Sequence, residues 1–407
     1  MASREFDIII FGATGYTGRY VIEELAKTVQ STNLKWAVAG RNVEKLKESL
    51  TIVQEYLGDA LDISKTTIIE ADVKNATSIA DMCKRARLIL NCVGPYKFYG
   101  EVVVTACIEN GTHHVDISGE MKYLETMQAK HFKSAREKGV YIVEACGFDS
   151  IPSDFGISAL KKKFPGDLNS VEYFVEIGQG PSGRSTNIGT FLSAVHSVTD
   201  FFNLKEYDRA LKDVFKKDLV KSNYSLSWRF PPLFYSDEVK GWCLWFIGPD
   251  ERVLKRSQMF RYEYLNDLPV ESRGYIKMHS FPIALCYYPS FFSAGAFSTE
   301  GPTRQQVMEG TTTVTLLGKG WKNKLSEPTD QHTTPPDTQM KLTINGPEPA
   351  YSLTAKCMVQ AGVTIIQDTD KLPLEGGVFT PGVAFENTDL LQRLEKSGIA
   401  FKFENIN

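Results

Sequence analysis

The stretch from Ile8 to Gly18 constrains the fold more than any other part of this sequence. Three isoleucines and Phe11 make an apolar run typical of a buried β-strand, and glycines then recur every third residue, at positions 12, 15 and 18. Apolar residues at helical spacing follow at once. A strand, a glycine-rich turn and a helix in this order are the context of a dinucleotide-binding fingerprint. The spacing is G-x-x-G-x-x-G rather than the commoner G-x-G-x-x-G, so a glycine-rich loop without a ligand is the alternative.

The three glycines have separate physical tasks in such a turn. Gly12 allows the chain to turn sharply, Gly15 lets backbone N–H groups approach a pyrophosphate, and Gly18 lets the helix pack close to the strand. The unpaired N–H groups and the dipole at the helix N-terminus favour the negative charge of a diphosphate. We therefore predict that the whole turn binds the cofactor, through Gly12, Ala13, Thr14, Gly15, Tyr16, Thr17 and Gly18.

Arg41 indicates which cofactor this is. A second apolar strand is predicted at Trp36–Ala39, and Gly40 and Arg41 follow it. At this point of a dinucleotide-binding fold an acid holds the 2′-OH of NAD, whereas an arginine accommodates the 2′-phosphate of NADP. Because no acid stands here and a guanidinium can fork onto a phosphate, Arg41 predicts NADP(H). The alternative is that Arg41 is a solvated residue before a helix that Asn42 caps.

Strands and helices keep alternating through the first 150 residues. Further strands are predicted at Thr67–Ala71, Leu88–Val93, His114–Ile117 and Val140–Cys146, with helical periodicity between them. Short apolar strands separated by helices are typical of parallel β-α-β units. The pattern predicts an α/β protein whose residues 1–150 form a Rossmann-type, doubly wound parallel sheet.

A different organisation is predicted beyond this unit. Val171–Ile177 alternates like a half-exposed antiparallel strand, and Thr190–Asn203 is predicted to be helical. We expect an inserted α+β domain at residues 151–350, serving the substrate or dimerisation. Residues 351–407 are predicted to dock back onto the Rossmann-type unit, and Gly376–Gly382 is predicted to be a loop within them.

Candidate site residues follow the predicted strands, because ligands of an open α/β sheet gather at the carboxyl ends. Val93, Gly94 and Pro95 are predicted to lie near the nicotinamide. Asp72 either meets the adenine edge or simply begins a turn. Four side chains flank this edge and could protonate a product, and they are Tyr96, Tyr99, Asp116 and Asp149. The tyrosines could equally pack the cleft wall, and the aspartates could cap helices.

Composition excludes several function classes. The net charge of the 407 residues is −3, so a nucleic-acid-binding surface is not expected. Seven scattered cysteines without a Cys-x-x-Cys pair indicate reduced thiols in an intracellular protein. The sequence shows neither a secretory signal nor a long uninterrupted apolar run. His113 and His114 have no ligand partner at metal spacing nearby, so we predict no metal site.

Two aromatic regions of the second half could serve as surfaces. Phe281–Ser298 carries no charge but is interrupted by Pro282 and Pro289, which block a long helix. It could be a core loop, a contact in a homodimer, or a contact with a lipid-droplet or membrane surface. The region from Trp228 to Phe246 is also rich in aromatic residues, and we expect it to be core or interface.

Six motifs together resemble a known family. They resemble the saccharopine dehydrogenase-like oxidoreductases of animals over nearly the whole chain, and they are Gly12–Gly18, Ala39–Arg41, Asn91–Tyr96, Asp116–Glu120, Gly147–Asp154 and Gly376–Gly382. The resemblance implies a Rossmann domain with an α+β insert and an association with lipid droplets and membranes. It also implies distant kinship with bacterial trans enoyl reductases of lipid synthesis. The chain departs from the family in a short segment between Tyr275 and Thr303, which puts membrane attachment in question.

The leading expectation is an NADP(H)-dependent oxidoreductase acting on an apolar or lipid-like enoyl or carbonyl compound. No Tyr-x-x-x-Lys dyad follows the fourth strand of the cofactor domain, so a short-chain dehydrogenase mechanism is not supported. A saccharopine-like substrate would need several cations for its carboxylates, and Arg184, Arg229 and Arg252 are available but are not brought together by any pattern. The alternative is a cofactor-binding scaffold or lipid-droplet surface protein with little or no turnover, since binding and chemistry are separable.

Overall fold

The computed structural model describes residues 4–187, 209–246, 248–278, 297–298, 300–327 and 330–406. The helix predicted at Thr190–Asn203, and nearly all of Phe281–Ser298, lie outside these residues.

The first part of the chain alternates strictly between strand and helix. Its strands and helices, in order, are β1 (Phe6–Phe11), α1 (Tyr16–Thr32), β2 (Trp36–Gly40), α2 (Val43–Leu57), β3 (Thr67–Glu70), α3 (Ala76–Arg85), β4 (Ala86–Asn91), α4 (Tyr96–Glu109), β5 (His113–Asp116), α5 (Met121–Glu137) and β6 (Tyr141–Val143). A π-type turn at Ile151–Phe155 then leads into α6 (Gly156–Lys163).

The second part is richer in long strands. Its elements are β7 (Asp167–Gly178), β8 (Thr186–Asn187), β9 (Leu233–Ser236), β10 (Gly241–Trp245), α7 (Asp250–Tyr264), β11 (Glu271–Met278), β12 (Phe297–Ser298), α8 (Arg304–Glu309), β13 (Thr311–Trp321), β14 (Thr338–Pro347), α9 (Thr354–Gln367), β15 (Gly377–Phe379), α10 (Pro381–Ala384), α11 (Leu390–Lys396) and β16 (Ala400–Ile406). A second π-type turn, Pro349–Leu353, precedes α9.

The first sheet is a seven-stranded parallel sheet in the order β15-β6-β5-β4-β1-β2-β3. The order reverses between β1 and β4, where connections leave to opposite sides, and such a switch point is where open α/β sheets bind ligands. Ile8, Ile9 and Ile10 are fully buried, because helices cover both faces of the sheet. The predicted Rossmann-type α/β fold is confirmed.

The second sheet is mixed, in the order β16-β14-β13-β7-β11-β10-β9. Within it only β7 and β11 pair in parallel, and the other neighbours are antiparallel. The prediction that Val171–Ile177 is half exposed was wrong. It lies inside the central strand β7, where even the outward Glu172 is 5% exposed because Arg229 pairs with its carboxylate at 2.8 Å.

The C-terminal residues divide between the two sheets. β15 extends the parallel sheet beside β6, whereas β16 pairs with β14 in the mixed sheet. Gly376–Gly382 is therefore a strand followed by a short helix, and its prediction as a loop was wrong. Gly376 and Gly377 have φ of 131° and 142°, so the strand begins in a conformation that only glycine adopts readily. Three residues of strand are too few to give a periodic signal.

Helix α7 fastens the second part of the chain to the first through buried arginines. Arg256 Nε donates to Gln128 Oε1 at 2.6 Å, and Arg256 Nη2 donates to Glu144 Oε2 at 2.7 Å. Arg252 pairs with Glu125 one turn earlier on α7. Gln128 and Glu125 belong to α5. The contact of α7 with the first part of the chain therefore includes charged side chains that are buried from water.

Among the described residues, the adjacent His113 and His114 contact polar groups inside the fold. His113 Nδ1 accepts a hydrogen bond from the Tyr141 N–H at 3.1 Å, and His114 lies 3.3 Å from the Asn91 amide nitrogen. Both imidazoles are buried between strands, and burial lowers the pKa of His113 to about 4, helped by the nearby Arg87 cation. No group of three or more potential metal ligands occurs in the described ranges.

Acidification is expected to destabilise the fold through His113. The unfolded chain binds a proton on this imidazole below its ordinary pKa of about 6.5, whereas the folded chain resists protonation until about pH 4. The contribution is therefore complete above about pH 6.5 and is lost as the pH falls towards 4, with about 2 kcal/mol lost between pH 7 and 5. Urea unfolding at several pH values measures this. His113→Asn should flatten the slope relative to the unsubstituted protein, and an identical slope would contradict the assignment.

Candidate functional site

The glycine-rich turn is built around close backbone contacts. Gly12 has a φ of 87°, and a Cβ on it would lie 2.7 Å from Val93 Cγ2. A Cβ on Gly18 would lie 2.5 Å from the Gly12 carbonyl oxygen, so the helix can approach the turn only without a side chain there. The roles predicted for Gly12 in turning and for Gly18 in close packing are confirmed.

The N-terminus of α1 is open to an anion. Gly15 precedes the helix without a side-chain cap, and the first turn carries no acidic residue. Across the residues that the structure describes, the N–H groups of Thr14, Tyr16 and Thr17 meet no acceptor. Unpaired donors and the helix dipole at one point fit a pyrophosphate.

The side chain of Tyr16 points away from this turn. Its hydroxyl donates to the Pro302 carbonyl, and its ring packs against Tyr351 with 4.5 Å between centroids. Nearby, Arg304 forks onto Glu23 of α1 with two bonds of 2.7 Å. Any contact of Tyr16 with the cofactor would therefore be through its backbone, while its ring joins the turn to the second part of the chain.

Arg41 lies exposed at the carboxyl end of β2. Its guanidinium forms no hydrogen bond or ion pair with any residue for which the structure gives side-chain contacts. Asn42 accepts from the Lys45 N–H at 2.9 Å and caps α2, as the sequence predicts. An unpaired guanidinium beside the ribose end of a dinucleotide site fits a 2′-phosphate.

Asp72 begins a turn, as one of its two predicted roles requires. Its Oδ1 accepts from the Lys74 N–H at 2.9 Å, and its backbone N–H donates to Ser78 at 3.0 Å. These bonds shape the start of α3. The contact with adenine stays a prediction.

Val93, Gly94 and Pro95 connect β4 to α4 at the switch point. The Gly94–Pro95 peptide is cis, and the Val93 N–H donates to the Asn91 side chain at 3.0 Å. Helix α4 begins at Tyr96, because the Glu120 carboxylate caps its first turn. The two carboxylate oxygens of Glu120 accept from the N–H groups of Tyr96 and Lys97 at 2.9 and 2.8 Å.

Of the predicted proton donors, Tyr96 and Asp116 are fully engaged inside the fold. Tyr96 donates to the Asn91 carbonyl at 2.8 Å, and burial raises its pKa well above the ordinary value. The buried Asp116 carboxylate accepts from the Ser118 and Ala145 N–H groups and from the Ser118 and Tyr123 hydroxyls. The hydrogen bonds of both side chains therefore stabilise the loops at the carboxyl edge of the sheet. Tyr99 is half-buried, and its ring meets the exposed Phe98.

Asp149 differs from these residues because one of its carboxyl oxygens is unpaired. It lies in the loop after β6 and is partly exposed, and its Oδ1 is buried without a hydrogen-bond partner in the described part of the chain. Desolvation raises its pKa to about 6. Glu120, Ser150 and Asp250 are not among the predicted site residues. Glu120 and Ser150 lie within two of the family motifs, whereas Asp250 gives only the signal of an acidic residue in the first turn of a helix.

No helix of the described ranges combines the length and the apolar character that a membrane crossing would need.

The fold and this edge define an NADP(H)-binding α/β protein. Residues 8–143 match the saccharopine dehydrogenase NADP binding domain. A saccharopine dehydrogenase-like oxidoreductase of Rattus norvegicus is 39% identical over 424 residues, covering 98% of this chain and 97% of the rat protein. The chain therefore belongs to the saccharopine dehydrogenase-like oxidoreductase family.

Other comparisons extend this picture. A protein of Caenorhabditis elegans described as lipid droplet localized is 36% identical, covering 98% of each chain. A trans-acting enoyl reductase of Mycobacterium ulcerans is 37% identical over 162 residues, covering 40% of this chain and 37% of that protein. The structure of apo saccharopine dehydrogenase (L-Glu forming) from Saccharomyces cerevisiae covers 99% of this chain and 100% of its own, with a TM-score of 0.57 at 11% identity. That likeness shows a shared fold.

Proposed function

We propose that this protein reduces or oxidises an apolar, lipid-like carbonyl or enoyl compound with NADP(H). The observation that carries the proposal is the pairing of an open glycine turn at α1 with the free guanidinium of Arg41 at the end of β2. The turn would hold the pyrophosphate and Arg41 the 2′-phosphate. When bound, the nicotinamide supplies or accepts a hydride at the switch point, where Val93, Gly94 and Pro95 would flank it.

Two findings support an apolar substrate over one with several carboxylates. Arg229 and Arg252, two of the three cations considered for carboxylates, are paired with Glu172 and Glu125. A cation neutralised by a nearby acid offers little to an anionic ligand. The enoyl reductase of Mycobacterium ulcerans supports an enoyl substrate by partial similarity.

A second candidate function is a lipid-surface scaffold that binds the cofactor without turnover. Around β9, Phe230 is 84% exposed, Tyr235 is 50% exposed and Trp228 is 40% exposed. Exposed aromatic side chains in one region favour contact with a partner or a lipid surface. The Caenorhabditis elegans relative is described as lipid droplet localized, which supports contact with a lipid surface. A contact through Phe281–Ser298 and a homodimer stay predictions from the sequence.

Arg41→Ala tests the cofactor specificity. The variant is expected to bind NADPH about 10- to 100-fold more weakly, because a charge-assisted contact to a phosphate contributes about 1.5–3 kcal/mol. NADH, which lacks this phosphate, should bind as before. Titration of the purified protein with each cofactor, followed by nicotinamide fluorescence, gives both constants. Lys47→Ala on exposed α2 is the matched control, and equal loss for NADPH and NADH in Arg41→Ala would contradict the role.

The two candidate functions separate in a turnover assay. NADPH oxidation with a medium-chain 2-enoyl thioester or a long-chain ketone supports the enzyme. Tight NADPH binding without turnover, together with binding to phospholipid vesicles that Phe230→Ser abolishes, supports the scaffold. If NADPH does not bind at all, the proposal of an NADP(H)-dependent enzyme fails.

A further inference from the structure

Two aspartates from distant parts of the chain meet at the carboxyl edge. Asp149 follows β6, and Asp250 is the first residue of α7. Helix α7 begins at this edge, since Pro249, the residue before the helix, lies beside Gly119. A Cβ on Gly119 would lie 3.5 Å from Cγ of Pro249. Gly119 itself follows β5. The two carboxyl groups therefore sit past the ends of β5 and β6, on the side of β4 where the nicotinamide is expected.

These carboxyl groups have unused hydrogen-bonding capacity. Among the residues that the structure describes, Asp149 Oδ1, Asp250 Oδ1 and the Ser150 hydroxyl are buried and meet no hydrogen-bond partner. Asp250 is 3% exposed and Ser150 is fully buried, whereas Asp149 is partly exposed. Buried polar atoms are almost always paired in folded proteins, so three unpaired ones at one place indicate a group that binds there. Asp149 is therefore the residue of the three that solvent or a ligand can reach.

Burial favours the neutral form of the Asp250 carboxyl. It raises the pKa of Asp250, and the neighbouring carboxyls of Asp149 and Asp154 add to the rise. Asp154 has its own donors, the Ser257 hydroxyl and the Gly382 N–H, both at 2.6 Å. Burial raises the pKa of the Tyr173 phenol, and the charges of Asp250, Glu251 and Asp149 add to the rise. Burial of two neighbouring acids favours the state in which one of them keeps its proton.

The geometry points to Asp149 and Asp250 as a carboxyl pair that shares one proton and exchanges it with the substrate, an inference that rests on the proposed function. In reduction, a hydride from NADPH forms a C–H bond at the β-carbon of an enoyl compound, and the π electrons move to the α-carbon as an enolate. The O–H bond of the pair then breaks, and its proton forms the second C–H bond. The products are the saturated compound, NADP⁺ and the fully ionised pair, which regains a proton from water. The partly exposed Asp149 is the member that faces the substrate.

The unsubstituted full chain provides a test that needs no substrate. Infrared difference spectra recorded against pH follow the C=O stretch of protonated carboxyl groups. The oxidised nicotinamide is positively charged and the reduced one is neutral, and a nearby cation lowers the pKa of an acid. We expect the midpoint of the band to be lower with NADP⁺ than with NADPH by about one pH unit or more. Equal midpoints in the two complexes would place the pair away from the nicotinamide and overturn the proposal.

Isosteric variants assign the band to this pair. Asp250→Asn should remove one component of the band and leave the component of the protonated Glu144, and Asp149→Asn should move the Asp250 component to lower pH, because a neighbouring negative charge is lost. Glu251→Gln is the matched control, since it removes an exposed carboxylate next to Asp250 and should leave the band unchanged. A band unaffected by both asparagine variants would mean that the proton lies elsewhere.

Kinetics separate this proposal from the proposed function. With NADPH and a medium-chain 2-enoyl thioester, Asp149→Asn and Asp250→Asn should each lose at least about 100-fold in turnover, within the range of general acid catalysis. Their NADPH dissociation constants should stay within about twofold, and circular dichroism checks the fold. Retained turnover in both variants overturns the proton role and leaves the oxidoreductase standing. Failure of the unsubstituted protein to bind NADPH overturns the oxidoreductase itself.

Discussion

Arg256→Leu is expected to lower the free energy of unfolding by about 3–5 kcal/mol, because it leaves a buried acid without its cation. The side chains of Arg256 and Glu144 are each 1% exposed, and the guanidinium also binds Gln128. Burial already raises the pKa of Glu144 to about 8 against the pull of Arg256. Without Arg256 the acid must take up a proton or remain charged in the interior, and the Gln128 oxygen loses its donor. Urea unfolding of the full chain gives the difference.

Two comparisons make this result specific. Lys133→Leu removes a cation whose side chain is 88% exposed in a surface pair with Glu137, and it should cost less than about 1 kcal/mol. Adding Glu144→Leu to Arg256→Leu should recover about 2 kcal/mol, because a buried apolar pair no longer carries an unpaired charge. Burial raises the pKa of Glu144 to about 8, and loss of Arg256 raises it further, so the two folded proteins differ in protonation mainly above that pH. The loss in Arg256→Leu should therefore shrink as the pH falls from about 10 to about 8. A loss below 1 kcal/mol at pH 8 would contradict the role given to this pair.

Gly12→Val is expected to raise the NADPH dissociation constant by at least about 100-fold, or about 2.7 kcal/mol. Its Cβ would meet Val93 Cγ2 at 2.7 Å and the Cys92 carbonyl carbon at 2.9 Å, and the φ of 87° is strained for any residue with a side chain. The turn must then move relative to β4, which displaces the donors of α1. Nicotinamide fluorescence measures the affinity, and far-ultraviolet circular dichroism reports whether the sheet is intact.

Gly40→Ala supplies the matched control. Its Cβ would meet the Leu46 side chain at 3.6 Å, an ordinary contact, so the substitution should leave the fold and NADPH affinity close to those of the unsubstituted protein. Gly18→Val should behave like Gly12→Val, because its Cβ would lie 2.5 Å from a backbone oxygen. An affinity within threefold of normal in Gly12→Val would mean that the turn does not hold the cofactor.

Local patterns predicted the features that local chemistry determines. The strand, turn and helix around Gly12, the cap at Asn42 and the order of elements through β6 all follow from short-range periodicity and turn residues. The family resemblance was likewise carried by short motifs. These parts of the fold and of the cofactor site could be predicted from the sequence, because each depends on residues that are close together along the chain.

Features made by distant residues could not be predicted in this way. Glu120 fixes the start of α4 from the far end of β5, and Asp250 reaches Asp149 only because α7 packs against the parallel sheet. Tyr96 and Asp116 have the residue types of proton donors, yet the fold uses them as hydrogen-bonding braces. Residue type at a sheet edge therefore identifies candidates, and the presence or absence of partners in the folded chain separates those that are free to react.

The position of β15 has a consequence for how the protein is made. A ribosome releases β1 to β6 long before Gly377–Phe379, so the nascent parallel sheet presents the open edge of β6 while all of the second sheet except β16 is being synthesised. Phe379 is 1% exposed in the finished molecule, and its contacts with Phe132 and Tyr141 form only when β15 arrives. An open strand beside uncovered aromatic rings favours association with other chains. Nascent chains at this stage are the ones that most need a chaperone.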